Sequence, residues 1–448
     1  MAKTFNDIYK VFTITVLILT GFGLILQTPA QLLEGLLIIF RAPNILVTDY
    51  IEIAGLGPAL VNAGILSLAS VGMLLFFKHE PQSGTIGGLW LLIGFALFGK
   101  NILNVIPIYL GGLLYARFRR QPFNNSIMTI LVASSLAPAV SQKLFIDLDL
   151  IVLRALESIG MYGRFAEIVS ISSGYLAAIG MGIAIGFVFE PLASNIKKAH
   201  DGFNLYNGGL TAGIIAIFIT ATMSSFGIFY QLNDQWSSGN NPLIFLITIV
   251  ISLWLLFVGL YMNWRELGLK GMWEKLREIN HTKADYYPDF GTFCYINMGL
   301  LGIFCIAVSA VFSIELSALA FGAIITIIGF GANGKNIPSG AALMLGVAIG
   351  TFFSPMEFHD PGIIAAFFFV LSLCPIPSKF GLHWGVIAGI LHIHLVTSLA
   401  VPSGGINLYN NGLAAGFVAI LLVPVILAFK ARATTLKEAK AAIKSGRN

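Results

Sequence analysis

The stretch NLYNNGL at residues 407–413 organises the chain, because a near-identical copy, NLYNGGL, lies at residues 204–210. The likeness continues past both stretches, with Ala212-Gly213 after the first copy and Ala415-Gly416 after the second. Amide side chains inside apolar sequence are costly to bury unless they find hydrogen-bond partners, so apolar packing alone does not explain why they recur. We therefore expect two copies of one structural unit.

Further repeated elements extend this pattern over nearly the whole chain. Gly-Lys-Asn-Ile occurs at residues 99–102 and again at 334–337, and Asn62 and Asn297 are the same distance apart as these two copies. The Asn-Leu-Tyr-Asn copies are closer together, so the first unit contains an extra segment, which we place at the charged, amphipathic residues 143–165. The predicted units are residues 1–240 and 241–430, followed by a basic tail at 431–448.

The composition is that of a membrane protein, since 57% of the 448 residues are hydrophobic and only 10% are charged. A soluble chain has about one-quarter charged residues. The net charge of +5 does not indicate nucleic-acid binding, because no basic patch has interleaved aromatic residues outside an apolar segment. The three cysteines lie in apolar stretches without metal-ligand spacing. We expect no metal ion, no cofactor and no cleavable signal peptide.

Apolar segments with the length of a bilayer-spanning helix, about 17–25 residues, predict an all-α, polytopic transmembrane helical bundle. Each half also holds one longer apolar run, at residues 84–118 and 315–353, interrupted only by the Gly-Lys-Asn motif. Such a run forms either two tight spans or a re-entrant helical hairpin. The predicted single spans are Val11–Gln27, Ile51–Phe77, Ser126–Val140, Ile168–Phe189, Leu205–Phe226, Leu243–Met262, Phe290–Phe312, Ile363–Leu373, His383–Val401 and Leu408–Phe429.

The distribution of lysine and arginine predicts the orientation. With the N-terminus in the cytoplasm, the basic residues collect on the cytoplasmic side, as the positive-inside rule requires. Each half then crosses the membrane an odd number of times, so two similar halves run in opposite directions. The prediction is a pair of inverted repeats in the inner cell membrane, each of about five spans plus one hairpin, with both termini cytoplasmic. Amphipathic stretches at Ala30–Arg41 and Glu266–Ile279 are expected to lie in the membrane interface.

Lys100 and Lys335 are the strongest candidates for a functional site, because an intramembrane lysine costs roughly 2.5–3.5 kcal/mol to insert. The structural alternative is a lysine that snorkels from a turn to the membrane surface. We expect helices to begin near Asn101 and Asn336, with Pro338 in the first turn of the second helix. Their free N–H groups would face the same space as the ammonium groups and form an anion-attracting site.

The amides and hydroxyls of the two Asn-Leu-Tyr-Asn elements are predicted to line a solute path. The structural alternative is that their asparagines begin helices as N-caps. For the asparagines deeper in the spans, hydrogen bonding between helices is the favoured interpretation over solute contact. The predicted lining residues are Asn204, Tyr206, Asn207, Asn407, Tyr409 and Asn410, with the deeper Asn62 and Asn297 beside them.

Histidines and carboxylates in the second half provide a weaker hypothesis. His392 and His394 point to different faces of a helix, so they do not easily share a metal ion. Residues 357–360 (EFHD) contain ligand-type side chains but fall in a predicted external loop. Proton coupling through a histidine is an alternative, and a histidine satisfied between helices is the simpler interpretation.

The twin Gly-Lys-Asn and Asn-Leu-Tyr-Asn elements resemble those of an uncharacterised bacterial family of polytopic membrane proteins, a resemblance that implies no activity. The predicted architecture is also similar to that of urea-transporter-type channels. Tyr206-Asn207 and Tyr409-Asn410 resemble the aromatic and amide solute slots of those channels. That resemblance implies a pathway for a small solute, and the two hairpin lysines favour an anion over neutral urea.

Together these features predict a non-enzymatic membrane transporter of a small, polar, anionic solute such as a carboxylate, with its site between the units near the bilayer midplane. The expected partners are the lipid bilayer and the small-molecule or ion solute, and the sequence is compatible with a homo-oligomer. The alternatives are a passive channel of the urea type, an intramembrane metal-dependent enzyme and a non-transporting scaffold.

Overall fold

The computed structural model describes residues 2–42, 48–141, 152–225, 227, 235–282 and 285–444, and this part of the chain contains helices but no strands. Eight of its helices are long and apolar enough to cross a membrane. The predicted all-α polytopic bundle is therefore confirmed, and the protein is a multi-pass membrane protein. Large apolar side chains on the outer surface, such as Ile25, Phe218 and Phe352, are mostly exposed and suit contact with lipid.

The described helices follow one another in two similar series. In chain order they are α1 (Ala2–Leu26), α2 (Pro29–Arg41), α3 (Tyr50–Ala54), α4 (Leu56–Phe76), α5 (Ser83–Phe95), α6 (Ile102–Phe118), α7 (Ile127–Ala133), α8 (Arg164–Ala199), α9 (Asn207–Ser225), α10 (Asn241–Ile279), α11 (Tyr286–Phe290), α12 (Cys294–Val311), α13 (Ala318–Phe330), α14 (Ile337–Phe352), α15 (Pro361–Phe369), α16 (Pro375–Phe380), α17 (Leu382–Leu399) and α18 (Asn410–Lys444).

Two predicted spans consist of short, broken helices. The segment predicted as Ser126–Val140 is α7 followed by a 3₁₀ turn at Ser134–Val140 that contains Pro138. The segment predicted as Ile363–Leu373 is α15 followed by a 3₁₀ turn at Val370–Leu373. Pro138 cannot donate an α-helical hydrogen bond to the carbonyl of Ser134, four residues earlier, which explains why α7 ends at Ala133.

The two predicted interfacial helices differ from each other. The first is the separate helix α2, which begins with a capping box between Thr28 and Gln31. The second, Glu266–Ile279, is the end of α10 and follows a kink at Gly268, whose φ is 55°. Only glycine adopts that backbone conformation without strain, so Gly268 sets the change of direction. Residues 143–151 of the predicted insertion lie outside the described part of the chain. Helix α8 begins at Arg164, near the end of the predicted insertion.

Helices α5 and α13 pack tightly against each other across the two halves. A Cβ atom added to Gly322 would lie 2.5 Å from the Gly94 carbonyl oxygen, and one added to Gly94 would meet the Gly322 carbonyl. Further along, Gly329 contacts Trp90. Residues late in α5 thus contact residues early in α13, so the two helices are antiparallel. Each has 13 residues and is about 20 Å long.

Candidate functional site

Each Gly-Lys-Asn turn is held by an asparagine from the preceding long helix. The Asn62 side-chain amide on α4 donates to the carbonyl oxygens of Ala96 (2.7 Å) and Lys100 (2.8 Å). Asn297 on α12 donates in the same way to the carbonyls of Gly331 and Lys335, both at 2.8 Å. These amides satisfy backbone acceptors that a helix end leaves open. Asn62 and Asn297 therefore position the two turns.

Helices begin directly after both turns, as predicted. The Asn101 side-chain oxygen accepts hydrogen bonds from two backbone N–H groups in the first turn of α6, each at 3.0 Å. The Asn336 oxygen accepts from the Ser339 N–H at 3.0 Å and begins α14. Their amide nitrogens are also engaged, with the Ile39 carbonyl for Asn101 and with Tyr286 Oη (2.9 Å) for Asn336. Both side chains thus stabilise the helix starts.

The two lysine side chains are fully buried, so neither snorkels to the surface. The Lys100 ammonium has no hydrogen-bond partner among the described residues and lies 5.1 Å from the centre of the Phe95 ring. The Lys335 ammonium donates to Tyr206 Oη and lies 4.4 Å and 5.3 Å from the ring centres of Tyr206 and Phe330. Aromatic faces attract cations, and the attraction is stronger where water is excluded.

A row of four aromatic rings joins the two lysines. The ring centres of Phe95 and Tyr409 are 5.1 Å apart, those of Tyr409 and Tyr206 are 4.8 Å apart, and those of Tyr206 and Phe330 are 4.9 Å apart. Lys100 lies at the Phe95 end of this aromatic row and Lys335 at the Tyr206–Phe330 end. The row therefore connects both Gly-Lys-Asn turns through the tyrosines of both Asn-Leu-Tyr-Asn elements.

The Asn-Leu-Tyr-Asn elements have the same local structure and bind across the two halves. The side-chain oxygens of Asn204 and Asn407 accept from the N–H groups of Tyr206 (2.9 Å) and Tyr409 (3.0 Å). The backbone N–H group of each leucine donates a hydrogen bond to the other half, from Leu205 to the Ser372 carbonyl (2.9 Å) and from Leu408 to the Ser135 carbonyl (3.1 Å). Each element is thereby held by the broken helix of the other half.

Small residues bring the two elements into direct contact. A Cβ atom added to Gly209 would lie 2.6 Å from the Cα atom of Gly412, and the reverse distance is 2.8 Å. The Asn204 amide donates across this contact to the Gly412 carbonyl at 3.0 Å. Asn207 and Asn410 are the first residues of α9 and α18. Asn204, Asn407 and Asn410 are buried, whereas Asn207 is partly buried.

Some polar atoms of this region have no partner in the described part of the chain. They include the Asn207 side-chain oxygen, the Asn407 side-chain nitrogen and the hydroxyls of Ser135 and Ser372. Native proteins leave few buried polar atoms unpaired, so such atoms are candidates for contact with a ligand. They add to the polar surface that the sequence predicted around Tyr206 and Tyr409.

The sequence also repeats an Asp-Tyr pair that our reasoning missed. The Asp49 carboxylate, from the first half, accepts from the Ala318 N–H (2.9 Å) at the start of α13. The Asp285 carboxylate, from the second half, accepts from the Ser83 hydroxyl at the start of α5. The following tyrosine of the second pair, Tyr286, binds Asn336. The repeated dipeptide was the available signal.

The residues considered for a metal site do not come together. In the described chain no group of three or more histidine, cysteine, aspartate or glutamate side chains is placed to hold a metal ion. Buried His392 lies 3.2 Å from the Asn411 side-chain oxygen through Nε2. His359 lies at the surface, with Nε2 3.3 Å from the Phe312 carbonyl.

Cavities lie at both ends of the α5–α13 pair. Two adjoining cavities of about 690 Å³ and 430 Å³ open beside the start of α5, share Asn207 in their walls, and reach Tyr409 and Phe330; we call them the α5-side cavity. A cavity of about 360 Å³ lies beside the start of α13 and reaches Leu408 and Asn410; we call it the α13-side cavity. Because α5 and α13 are antiparallel, the cavities are at opposite ends of the pair.

Comparison with protein-family models gives a match over most of the chain. A family model described as "Protein of unknown function (DUF1576)" matches residues 28–225 and 267–428. The chain belongs to this family. The expectation of an uncharacterised family is thereby confirmed, whereas the similarity to urea-transporter-type channels stays a prediction. No curated protein matches the chain, and no solved structure does either.

Proposed function

We propose that this DUF1576 protein is a membrane transporter of a small anionic solute such as a carboxylate, with its site at the aromatic row between two inverted repeats. The observation that carries the proposal is the Lys100 ammonium, which is fully buried and has no hydrogen-bond partner among the described residues. An ammonium removed from water is costly unless an anion pairs with it or it loses its proton. An anionic solute would supply the missing partner.

The antiparallel packing of α5 and α13 supports the inverted repeat. If both helices stand across the membrane, equivalent elements of the two halves run in opposite directions, as in many secondary transporters. Their length of about 20 Å is shorter than the hydrocarbon core of about 30 Å, which favours re-entrant hairpins over full spans. In this arrangement the basic tail and the N-terminus lie in the cytoplasm of an inner-membrane protein.

The cavities support alternating access over an open channel. Neither lysine lines the α5-side or the α13-side cavity, and the tyrosines of the row are almost completely buried. In this proposal the row is the closed barrier between the two cavities. Rocking of one repeat against the other would open the row to one cavity at a time. A passive channel would instead need a continuous polar path.

The test is uptake into proteoliposomes of labelled succinate, lactate, chloride and urea, with Lys100→Met and Lys335→Met variants. Methionine keeps most of the side-chain volume and removes the charge. We expect saturable uptake of at least one carboxylate and a loss of at least tenfold in both variants. The matched control is Lys379→Met, because Lys379 is exposed yet also lies over two aromatic rings, Phe203 and Phe380.

Three results would contradict the proposal. Uptake that persists in both site variants would remove the lysines from the solute path. Carboxylate flux that never saturates would indicate a channel. Transport of urea but of no anion would favour the urea-type alternative. The intramembrane enzyme receives no support from the arrangement of the described histidines and carboxylates.

A further inference from the structure

The α5-side cavity contains a carboxylate that the transport proposal does not use. Glu190, on α8, lines the larger part of this cavity together with Asn207, the first residue of α9. One carboxylate oxygen of Glu190, Oε2, and the Asn207 side-chain oxygen are both buried and have no hydrogen-bond partner in the described chain. Both atoms are acceptors, and neither receives a hydrogen bond from a donor in the described chain.

Contacts on either side keep Glu190 close to the first Asn-Leu-Tyr-Asn element. The preceding residue, Phe189, packs its ring 3.8 Å from the position that a Cβ atom on Gly208 would occupy, and Gly208 follows Asn207. Thr129, on α7, is a side-chain hydrogen-bond partner of Glu190. The carboxyl group is thus held against the cavity wall beside the first turn of α9.

A proton would supply what the wall lacks. An ionised carboxylate only accepts hydrogen bonds, whereas a protonated carboxyl group also donates one. Protonation removes a negative charge from a partly dehydrated position and turns the unpaired carboxylate oxygen into a hydroxyl that can donate. We infer that Glu190 binds the proton that this transporter moves together with its anionic solute, an inference that rests on the proposed function.

The proton balance is simple. Glu190 takes a proton from water in the α5-side cavity as its O–H bond forms, and releases it to water on the other side when the solute leaves. No other bond changes, and no oxidant or reductant takes part. A proton that travels with a monocarboxylate cancels its charge, and it would also offset the repulsion between Glu190 and an approaching anion.

The other titratable groups facing this cavity are already satisfied or exposed. Both ring nitrogens of His79 are engaged, Nδ1 at 3.3 Å from the Asn124 carbonyl and Nε2 at 3.1 Å from Thr85 Oγ1. Glu80 is exposed. Asp285, in the adjoining part of the cavity, accepts from Ser83. Among the described histidine, aspartate and glutamate residues that line the cavity, Glu190 alone has a buried side-chain oxygen without a hydrogen-bond partner.

The inference also agrees with the asymmetry of the two halves. Counting back from the two Asn-Leu-Tyr-Asn elements, the residue equivalent to Glu190 is Ile393. The carboxyl group is therefore present in one repeat and absent from the other at this position. A role in packing common to both repeats would not require a carboxylate here, so the difference favours a specific function in the first half.

The experiment separates proton coupling from solute transport in proteoliposomes. The probe is labelled lactate or succinate, whichever the wild-type protein takes up. Exchange of labelled for unlabelled solute is measured at equal pH on both sides, and accumulation is measured with an acidic exterior. For Glu190→Gln we expect exchange within about threefold of wild type and a loss of pH-driven accumulation of at least tenfold. The matched control, Glu80→Gln, changes an exposed carboxylate of the same cavity and should retain both activities.

Each outcome is decisive. If Glu190→Gln still accumulates solute in response to the pH gradient, the inference fails while the proposed function stands. If the wild-type protein exchanges no carboxylate, the proposed function fails and the inference with it. If Glu190→Gln loses exchange at equal pH to the same extent as accumulation, Glu190 binds or positions the solute and the coupling role is refuted. Glutamine resembles the protonated acid in shape and offers a donor, so we expect the variant to fold.

Discussion

Replacing Lys100 by methionine should make the protein more stable and less active at once. The Lys100 ammonium is fully buried, has no hydrogen-bond partner among the described residues, and receives only the attraction of the Phe95 ring at 5.1 Å. That attraction is worth about 0.5–2 kcal/mol. Replacing buried charged groups by well-packed apolar ones often stabilises a protein by about 1–4 kcal/mol. We therefore expect a net gain of about 1–3 kcal/mol for Lys100→Met.

Lys335 provides an internal comparison, because its ammonium has more contacts. It donates to Tyr206 Oη and lies over two rings. Lys335→Met would leave the Tyr206 hydroxyl without this partner, and an unsatisfied buried polar group costs about 1–3 kcal/mol. The gain should therefore be smaller than for Lys100→Met, or absent. Replacement of the exposed Lys379 should leave the stability unchanged within error.

The assay is thermal unfolding in detergent, followed by fluorescence, beside uptake by the same preparations. One kcal/mol shifts the midpoint by about 2–4 °C for chains of 150–250 residues and by less for longer ones. A rise of the midpoint for Lys100→Met with a loss of uptake is the expected pair of results. A fall of the midpoint by several degrees would refute the reasoning, because it would mean that a partner stabilises this ammonium in the empty protein.

Three further predictions concern the scaffold and its pH dependence. Asn62→Ala removes two hydrogen bonds to backbone carbonyls and should lower the unfolding free energy by about 2–3 kcal/mol, measured by thermal unfolding in detergent. Gly209→Ala would force a Cβ atom to within 2.6 Å of the Gly412 Cα and should cost about 1–3 kcal/mol, whereas Gly72→Ala, with open space around it, should be neutral or slightly stabilising. Burial holds the pKa of His79 below its usual value, and the Asn124 carbonyl and Glu80 oppose this effect. The stability that neutral His79 contributes is therefore complete above about pH 6.5, the pKa of the unfolded state. It falls as the pH drops below that value, because the unfolded state takes up a proton more readily than the folded state. The loss of midpoint between about pH 7.5 and about pH 5.5 should be smaller in His79→Gln, and an equal loss in both proteins would contradict this.

The start of the hairpin helices shows what local sequence can predict. Asn101 and Asn336 begin α6 and α14 because an asparagine side chain accepts from N–H groups only two or three residues away. The same local reasoning failed at Ser126–Val140, where an apolar segment of suitable composition forms a short helix and a 3₁₀ turn. The Ser135 carbonyl in this segment accepts a hydrogen bond from the backbone N–H of Leu408, far along the chain. Apolar composition carries no information about that contact.

Apolar length and helix capping depend on neighbouring residues, so composition and local motifs were enough to predict a helical membrane protein with repeated polar elements. Which polar groups have partners depends on the packing of distant segments. Three contacts join residues that are distant in sequence. They are the hydrogen bonds of Asn62 to backbone carbonyls, the hydrogen bond from the first N–H of α13 to Asp49, and the aromatic row between Lys100 and Lys335. Those contacts follow from how the two halves pack together, and the order of the residues alone does not specify that packing.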